Sequence, residues 1–195
     1  MINWLVQVDA GLFYFLNVTL ANPVFDLLMP LITSNWLLRP VIVLILLYLV
    51  IFGKRQGRIT AIICIVTVIA TDQISAHLLK PIISRIRPCH VLPDIHLLVN
   101  CSKGLSFPSA HAANAFGQAV ILALGLPRRA WLFYLAAFVI SYSRIAVGVH
   151  YPADVIAGAL LGAVIALGVY GIYLFANSQR QRHLQPEIMA EKSGK

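Results

Sequence analysis

The sequence predicts an all-α fold, a polytopic membrane helix bundle with five to six transmembrane helices. Hydrophobic residues make up 59% of the 195 residues, and the mean hydropathy is +0.83, far above the values of soluble domains. Several apolar runs also reach about 20 residues, the length that crosses a hydrocarbon core roughly 30 Å thick as a helix.

The first 35 residues predict either one imperfect span or two short interfacial helices. Residues 3–34 are mostly apolar, but Asp9, Pro23 and Asp26 interrupt them. An ionisable side chain is costly inside a span, and proline removes a helical hydrogen bond. The sequence leaves these two alternatives open.

Five clearer apolar runs follow, and each predicts a transmembrane helix. The connection formed by residues 80–108 is the longest polar segment between them and predicts an external loop. Residues 177–195 lack an apolar period and predict a flexible cytoplasmic tail after a single membrane domain, residues 1–176. The five predicted spans are residues 36–52, 59–79, 109–126, 130–149 and 152–176.

Basic residues set the expected orientation in a bacterial cytoplasmic membrane. Lys54, Arg55 and Arg58 share one loop, and Arg128 and Arg129 share another on the same face. The positive-inside rule places this face and the C-terminus in the cytoplasm. The opposite face, towards the periplasm or exterior, also carries many cations, which suggests that they serve a binding site there.

Charge and composition limit the partners. The formal net charge is +8, but only 11% of residues are charged and no aromatic residues interleave with a basic stripe. This pattern argues against nucleic acid as a partner. It favours membrane lipids and an anionic substrate, while the oligomeric state is not predicted.

Three polar segments on the expected external face predict a phosphate site. They are residues 80–88, 107–111 and 143–154. Pro108 and Pro152 are expected to open helices, whose N-termini attract anions. The segments also supply three cations, and arginine and lysine are the side chains that bind phosphate oxygens. These cations are Lys80, Arg87 and Arg144.

Two histidines in these segments predict acid–base or nucleophilic chemistry. The i, i+4 spacing of His150 and Asp154 places both on one helical face, where a carboxylate can orient an imidazole. His111 then offers a separate acid. Alternatives are a structural histidine and half of a metal site, but no third ligand has suitable spacing, so we expect neither a metal nor another cofactor.

The three segments resemble the signature motifs of the type 2 phosphatidic acid phosphatase (PAP2) family, membrane lipid phosphatases related to vanadium haloperoxidases. The motifs read K-x6-RP from Lys80, PSAH from Pro108 to His111 and SR-x5-H-x3-D from Ser143 to Asp154. The resemblance implies a core like that of these enzymes. Ala110 replaces the glycine of the usual PSGH motif. Alanine keeps the backbone N–H but would not tolerate a glycine-only backbone angle.

The resemblance also implies a role for each matched residue. His150 would attack phosphorus and form a phosphohistidine, Asp154 would orient it, and His111 would protonate the leaving group. The phosphoryl oxygens would be held by Lys80, Arg87, Ser109, Arg144 and the backbone near Ala110.

Four residues outside the motif pattern also carry predictions. Asp72 lies in an apolar span, either as a partner of the cationic site or in an interhelical hydrogen bond, and both alternatives stay open. Cys89 and Cys101 both lie in the external loop, directly after the first motif and shortly before the second, and predict a disulfide. Arg85 lies at a variable position of the first motif. We expect it to be a surface charge rather than a contact to lipid or substrate.

The resemblance favours one substrate and leaves others open. A short chain with "RPC" and "SFPS" near its motifs is similar to bacterial undecaprenyl pyrophosphate phosphatases and phosphatidylglycerophosphate phosphatases. Undecaprenyl pyrophosphate is therefore the first expectation, with phosphatidylglycerophosphate, phosphatidic acid and lipid A as alternatives. An anionic-lipid binder or transporter and a haloperoxidase are the other functional classes.

Overall fold

The structure is a computed structural model that describes the backbone of residues 2–193 and the side chains of residues 4–182. Its regular structure, over those residues, consists of helices alone, which confirms the all-α prediction. The α-helices are α1 (Ile2–Tyr14), α2 (Pro23–Thr33), α3 (Asn35–Phe52), α4 (Lys54–Gln73), α5 (Lys80–Ile83), α6 (Pro88–Val91), α7 (Ala110–Gly125), α8 (Ala130–Ala146) and α9 (Pro152–Ser193).

The N-terminal segment forms two helices with a sharp bend between them. A π-helical turn extends α1 through Thr19, and the axis then bends by 113° into α2. Asn22 caps α2, because its side-chain oxygen accepts hydrogen bonds from the N–H groups of Val24 (3.1 Å) and Phe25 (3.0 Å). The bent pair is compatible with both alternatives for this segment, one imperfect span or two short interfacial helices.

Three helical stretches are individually long and apolar enough to cross a membrane: Asn35–Phe52, Lys54–Val91 and Pro152–Arg182. The bent N-terminal pair passes the same test as a unit. The predicted spans 109–126 and 130–149 correspond to α7 and α8, which have 16 and 17 residues. Their rise is about 24–26 Å, slightly less than a typical hydrocarbon core.

Helix α7 lies at the centre of the bundle and packs against α4, α8 and α9. Small residues let α9 approach it closely. A Cβ atom added to Gly158 would overlap the carbonyl oxygen of Ser109, and one added to Gly162 would overlap that of Ala113. The spacing of these two glycines is the small-xxx-small pattern of membrane helix pairs. It seats the first turn of α9 directly against the first turn of α7.

Helix α9 continues well beyond the membrane span predicted for it. The structure is helical through Ser193, and the flexible cytoplasmic tail expected from residue 177 stays a prediction. Glutamine, arginine, leucine, glutamate, methionine and alanine fill much of this segment, and all are good helix formers. Residue 1 and residues 194–195, the end of the predicted tail, lie outside the described residues.

The loop predicted to be external, residues 80–108, is anchored by a buried asparagine of the N-terminal segment. The Asn17 side chain donates to the carbonyl oxygens of His96 (2.9 Å), Ile145 (3.1 Å) and Ala146 (2.9 Å) and accepts from the His96 N–H (2.9 Å). His96 also pairs with Asp26 at 2.7 Å. These bonds hold the loop against the end of α8, beside the predicted phosphate site.

Candidate active site

The three motif segments meet at one end of the bundle. The π-helical extension of α4 ends at Leu79, so Lys80 begins α5, and α8 carries Arg144 in its last turn. The first turns of α7 and α9 are joined by a hydrogen bond from the Ser109 N–H to the Asp154 carbonyl oxygen (2.9 Å). His150, between α8 and α9, is 2% exposed and lies at the centre of this group.

Asp154 holds one edge of the His150 ring. Its Oδ2 atom lies 3.5 Å from His150 Nδ1 and accepts hydrogen bonds from the Ser106 hydroxyl and from the Tyr151 N–H (2.9 Å). The carboxylate sits in the first turn of α9, where the helix dipole stabilises negative charge. The imidazole therefore has a fixed anionic partner on its Nδ1 side.

Arg87 faces the other ring nitrogen. Its Nη1 lies 3.2 Å from His150 Nε2 and also donates to the Val149 carbonyl oxygen (3.1 Å), while Nε donates to that of Gly104 (2.9 Å). An arginine can only donate, so Nε2 must accept and the ring proton belongs on Nδ1. This tautomer leaves the Nε2 lone pair directed towards the cations.

Burial keeps His150 uncharged. It lowers the pKa of His150 to about 4, and nearby Arg87 and Arg144 act in the same direction, while the hydrogen bond with Asp154 opposes them. The imidazole is thus a free base at neutral pH. A neutral imidazole with an accessible lone pair is a competent nucleophile.

Arg85 binds the far side of the Asp154 carboxylate. Its Nη1 lies 2.8 Å from Asp154 Oδ1, and its Nη2 lies 2.6 Å from Asp9 Oδ2. The guanidinium also stacks 3.9 Å from the centre of the Tyr151 ring. Asp9 in turn accepts from the Ala153 N–H (2.9 Å). The surface role favoured by the sequence is therefore wrong for Arg85, because folding of α1 supplies a second carboxylate that buries it.

Two predicted phosphate ligands carry buried polar atoms. Ser109 Oγ and Arg144 Nε are buried and make no hydrogen bond with any group in the described part of the chain. Arg144 Nη1 is fixed by a hydrogen bond to the Thr33 hydroxyl. Such atoms are costly unless something pairs with them, so they are suited to an oxyanion.

His111 and Lys80 complete the cluster of predicted residues. Both are partly buried. His111 lies in the first turn of α7, two residues after Ser109, whose N–H binds the Asp154 carbonyl oxygen. The second imidazole and the cations therefore surround the same region.

The start of α7 differs from the expectation for Pro108. The helix begins at Ala110, because Ser109 has an extended backbone (φ −72°, ψ 110°). Pro152 does open α9, as expected. Ala110 is not among the residues with positive φ, so its helical backbone suits alanine as well as glycine. The departure from PSGH therefore causes no backbone strain.

Asp72 makes an interhelical hydrogen bond. Its Oδ1 accepts from Asn114 Nδ2 (2.8 Å), and the Asn114 side-chain oxygen accepts from the Thr71 hydroxyl. This contact joins α4 to α7. Of the two alternatives left by the sequence, the interhelical bond is the one with a direct contact.

The external loop is closed by the predicted disulfide pair. Cys89 and Cys101 are bonded, with Cα atoms 6.1 Å apart. Cys89, His90 and Cys101 also form the one cluster of metal-ligand type found among the described residues, but both sulfurs belong to the disulfide. The covalent closure restrains the segment that delivers Gly104 and Ser106 to the site.

Sequence reasoning missed Asp9, Arg85 and Ser106 as parts of this site. Ser106 lies three residues before Ser109, so its position beside a motif is a weak signal. Asp9 binds Arg85 across 76 residues of sequence. Spacing within a motif gives no signal for that contact.

Comparisons with known proteins agree on one family. The profile of the PAP2 superfamily matches residues 61–178. A lipid A 4'-phosphatase of Bacteroides thetaiotaomicron is 34% identical over 171 residues, covering 83% of this chain and 75% of the relative. An undecaprenyl-diphosphatase of Sulfolobus acidocaldarius is 38% identical over 120 residues, covering 60% and 56%.

A solved structure is similar as well. The crystal structure of a transmembrane PAP2-type phosphatidylglycerolphosphate phosphatase from Bacillus subtilis superimposes with a TM-score of 0.66 at 26% identity, over 87% of this chain and 86% of that one. The matched profile region contains all three motifs.

Proposed function

This chain belongs to the PAP2 superfamily, whose members include membrane lipid phosphatases, and we propose that it removes a terminal phosphate through a phosphohistidine at His150. The main support is the environment of the His150 imidazole, which has Asp154 on its Nδ1 side and Arg87 Nη1 3.2 Å from its Nε2. Asp154 orients the ring and stabilises positive charge that develops on it during attack. The protein is an enzyme of the phosphatase class.

In the first step, His150 Nε2 forms a bond to phosphorus while the bond from phosphorus to the lipid oxygen breaks. The leaving oxygen takes a proton from the protonated imidazole of His111, which becomes neutral. Arg87, which donates to Nε2 in the structure, transfers its hydrogen bond to an entering phosphoryl oxygen. Lys80, Arg144 and Ser109 hold the remaining oxygens and stabilise the charge of the transition state.

In the second step, water attacks the phosphohistidine. His111, now neutral, accepts a proton from the water as the P–N bond breaks. Inorganic phosphate leaves, and His150 regains its Nε2 lone pair, while the Nδ1 proton beside Asp154 stays on the ring in both steps. Each residue thus returns to its starting state without an external oxidant or reductant.

Two lipid substrates are supported by different observations. The similarity to an undecaprenyl-diphosphatase supports undecaprenyl pyrophosphate, the first expectation. The longer similarity to a lipid A 4'-phosphatase, 171 residues, supports the lipid A 4'-phosphate. Phosphatidylglycerophosphate and phosphatidic acid share the same phosphoryl chemistry. The site would face the periplasm or exterior, with the C-terminus in the cytoplasm.

A phosphate-release assay on these four lipids tests the proposal. Purified protein should release phosphate from at least one of them, and His150→Gln and His111→Asn should each lower kcat by about 10²-fold or more. Gly168→Ala, at a position with open space around it, is the matched control and should keep wild-type activity. Equal phosphate release by wild type and His150→Gln would instead favour a lipid binder or transporter.

Trapping tests the intermediate directly. A lipid labelled on its terminal phosphate should leave an acid-labile label on wild-type protein quenched during turnover. His111→Asn should accumulate it with an activated leaving group, and His150→Gln should show none. Label retained by His150→Gln would assign the nucleophile to another residue.

A further inference from the structure

A basic cavity lies at the end of the bundle far from His150. It has a volume of about 620 Å³ and opens between the start of α4 and the later part of α9. Its lining includes four cations, together with apolar side chains. These residues are Lys54, Arg55, Arg58, Arg180, Ile62 and Tyr173.

The cavity and the active site are separated by about the thickness of a membrane. Helix α4 and its extension run from Lys54 at the cavity to Lys80 at the site, a rise of about 39 Å for 26 residues. Helix α9 runs the opposite way, from Pro152 at the site to Arg180 at the cavity. A lipid phosphate bound at one end therefore cannot reach the other.

The two segments that build the cavity contain no acidic residues to balance its positive charge. Residues 53–62 and 173–182, which build it, contain four arginines and a lysine but no aspartate or glutamate. Among the ion pairs of the described residues, none includes Lys54, Arg55, Arg58 or Arg180. Arg58 donates a hydrogen bond through Nε to the Val50 carbonyl oxygen (3.2 Å), which leaves its other N–H groups for a ligand. The cavity is thus suited to an anion.

Apolar side chains lie one or two turns deeper than these cations. Ile62 follows Arg58 by one turn of α4 towards the bundle centre and is 61% exposed. Tyr173 precedes Arg180 by two turns of α9 in the same direction and is half-buried. A free phosphate has no apolar part that could contact these side chains. A phospholipid matches it, with its phosphate near the membrane surface and its acyl chains deeper.

We propose that this cavity binds the headgroup of an anionic phospholipid in the leaflet opposite the active site. Basic pockets between membrane helices are suited to such headgroups. Aromatic residues such as Tyr173 favour the same depth of the bilayer. This inference concerns a separate site and holds whether or not His150 acts as the nucleophile.

Native mass spectrometry of the full chain tests the proposal. The protein is exposed to phosphatidylglycerol and phosphatidylcholine with identical acyl chains. Wild type should retain phosphatidylglycerol with a preference on the order of tenfold. The double variant Arg55→Gln/Arg180→Gln should lose that preference, whereas Arg128→Gln/Arg129→Gln, cations at the same end that do not line the cavity, should keep it.

Three results would overturn the proposal. One is an unchanged preference in the cavity variant, and another is an equal loss in the Arg128/Arg129 control, which would mean general surface attraction. The third is displacement of the lipid preference by millimolar inorganic phosphate, which would identify a soluble phosphate site. Lys54→Gln serves as a second cavity variant if the double variant fails to fold. Unchanged hydrolysis of a short-chain soluble lipid phosphate by all variants separates this site from catalysis.

Discussion

Arg85 binds the Asp154 carboxylate from the side opposite Ser106 and Tyr151. The guanidinium contacts Oδ1 at 2.8 Å, while Oδ2 accepts from the Tyr151 N–H (2.9 Å) and the Ser106 hydroxyl. Asp154 is fully buried, so an unpaired charge there would be very costly. Arg85 therefore both neutralises this carboxylate and restricts its orientation towards His150.

Replacing Arg85 should lower turnover more than substrate affinity. Arg85→Gln is expected to reduce kcat by about 10²-fold, because a displaced Asp154 no longer orients the His150 ring. KM should change little, since the guanidinium faces the carboxylates. Steady-state kinetics measure both constants. Arg85→Lys should recover part of kcat, and a variant with raised KM but unchanged kcat would mean that Arg85 contacts substrate.

Gly162 should be intolerant of even one added methyl group. Gly162→Ala is expected to lower Tm by several degrees, because its Cβ would overlap the carbonyl oxygen of Ala113 and overpacking costs about 1–3 kcal/mol. Gly168→Ala on the same helix has open space and should leave Tm unchanged or slightly raised. Thermal unfolding of both detergent-solubilised variants is the measurement. Equal Tm values would contradict the close packing of α7 and α9.

Protonation of His150 should destabilise the fold in acid. Its folded pKa of about 4 lies below the ordinary value of 6.5, so the unfolded chain binds the proton more readily. The free energy of unfolding therefore begins to fall as the pH drops through 6.5, and the effect of this histidine is complete below about pH 4. His150→Asn should therefore show a smaller drop in Tm between pH 7 and pH 4.5 than wild type.

A matched histidine controls for general effects of pH. His77 is exposed and belongs to none of the three motifs. His77→Asn should show the same acid-dependent drop in Tm as wild type. An unaltered drop in His150→Asn would mean that burial of this imidazole does not control the acid response.

The disulfide should stabilise the loop that carries Ser106. Cys89→Ser/Cys101→Ser is expected to lower stability by roughly 2–3 kcal/mol, since the closed loop restricts the unfolded chain. Turnover should also fall, because this segment supplies Gly104 to Arg87 and Ser106 to Asp154. Tm, kcat and the mass shift after alkylation are the measurements. Cys64→Ala is the control, and two freely alkylated thiols in unreduced wild type would contradict the bond.

Motif spacing explains why so much of the candidate site could be predicted. His150 and Asp154 lie four residues apart at the start of one helix, so local geometry alone brings them together. The cations of the other motifs lie near the C-terminal ends of two predicted spans, 59–79 and 130–149, that run in the same direction. Alternating direction of successive spans is enough to place them on one face.

Contacts between distant segments explain what the sequence did not predict. Asp9 meets Arg85 only because α1 folds against the start of α9. A local signal does mark the sharp bend after Thr19, because Asn22 caps α2 and Pro23 is its first residue.

Substitutions at Ala110 separate the role of its side chain from that of its N–H. Ala110 occupies the first position of α7, and its φ is not positive. Ala110→Gly restores the usual motif but gains no needed conformation, so we expect activity within about threefold of wild type and a slightly lower Tm, because glycine is the weaker helix former.

Ala110→Pro should instead impair catalysis while keeping the helix. Proline is tolerated at the first helical position, and Ser109 already has the extended backbone that a following proline requires. The substitution removes the one N–H proposed to bind a phosphoryl oxygen. Loss of such a donor costs about 10²–10³-fold in kcat. Wild-type kcat in Ala110→Pro, with Tm also unchanged, would show that this N–H does not stabilise the transition state.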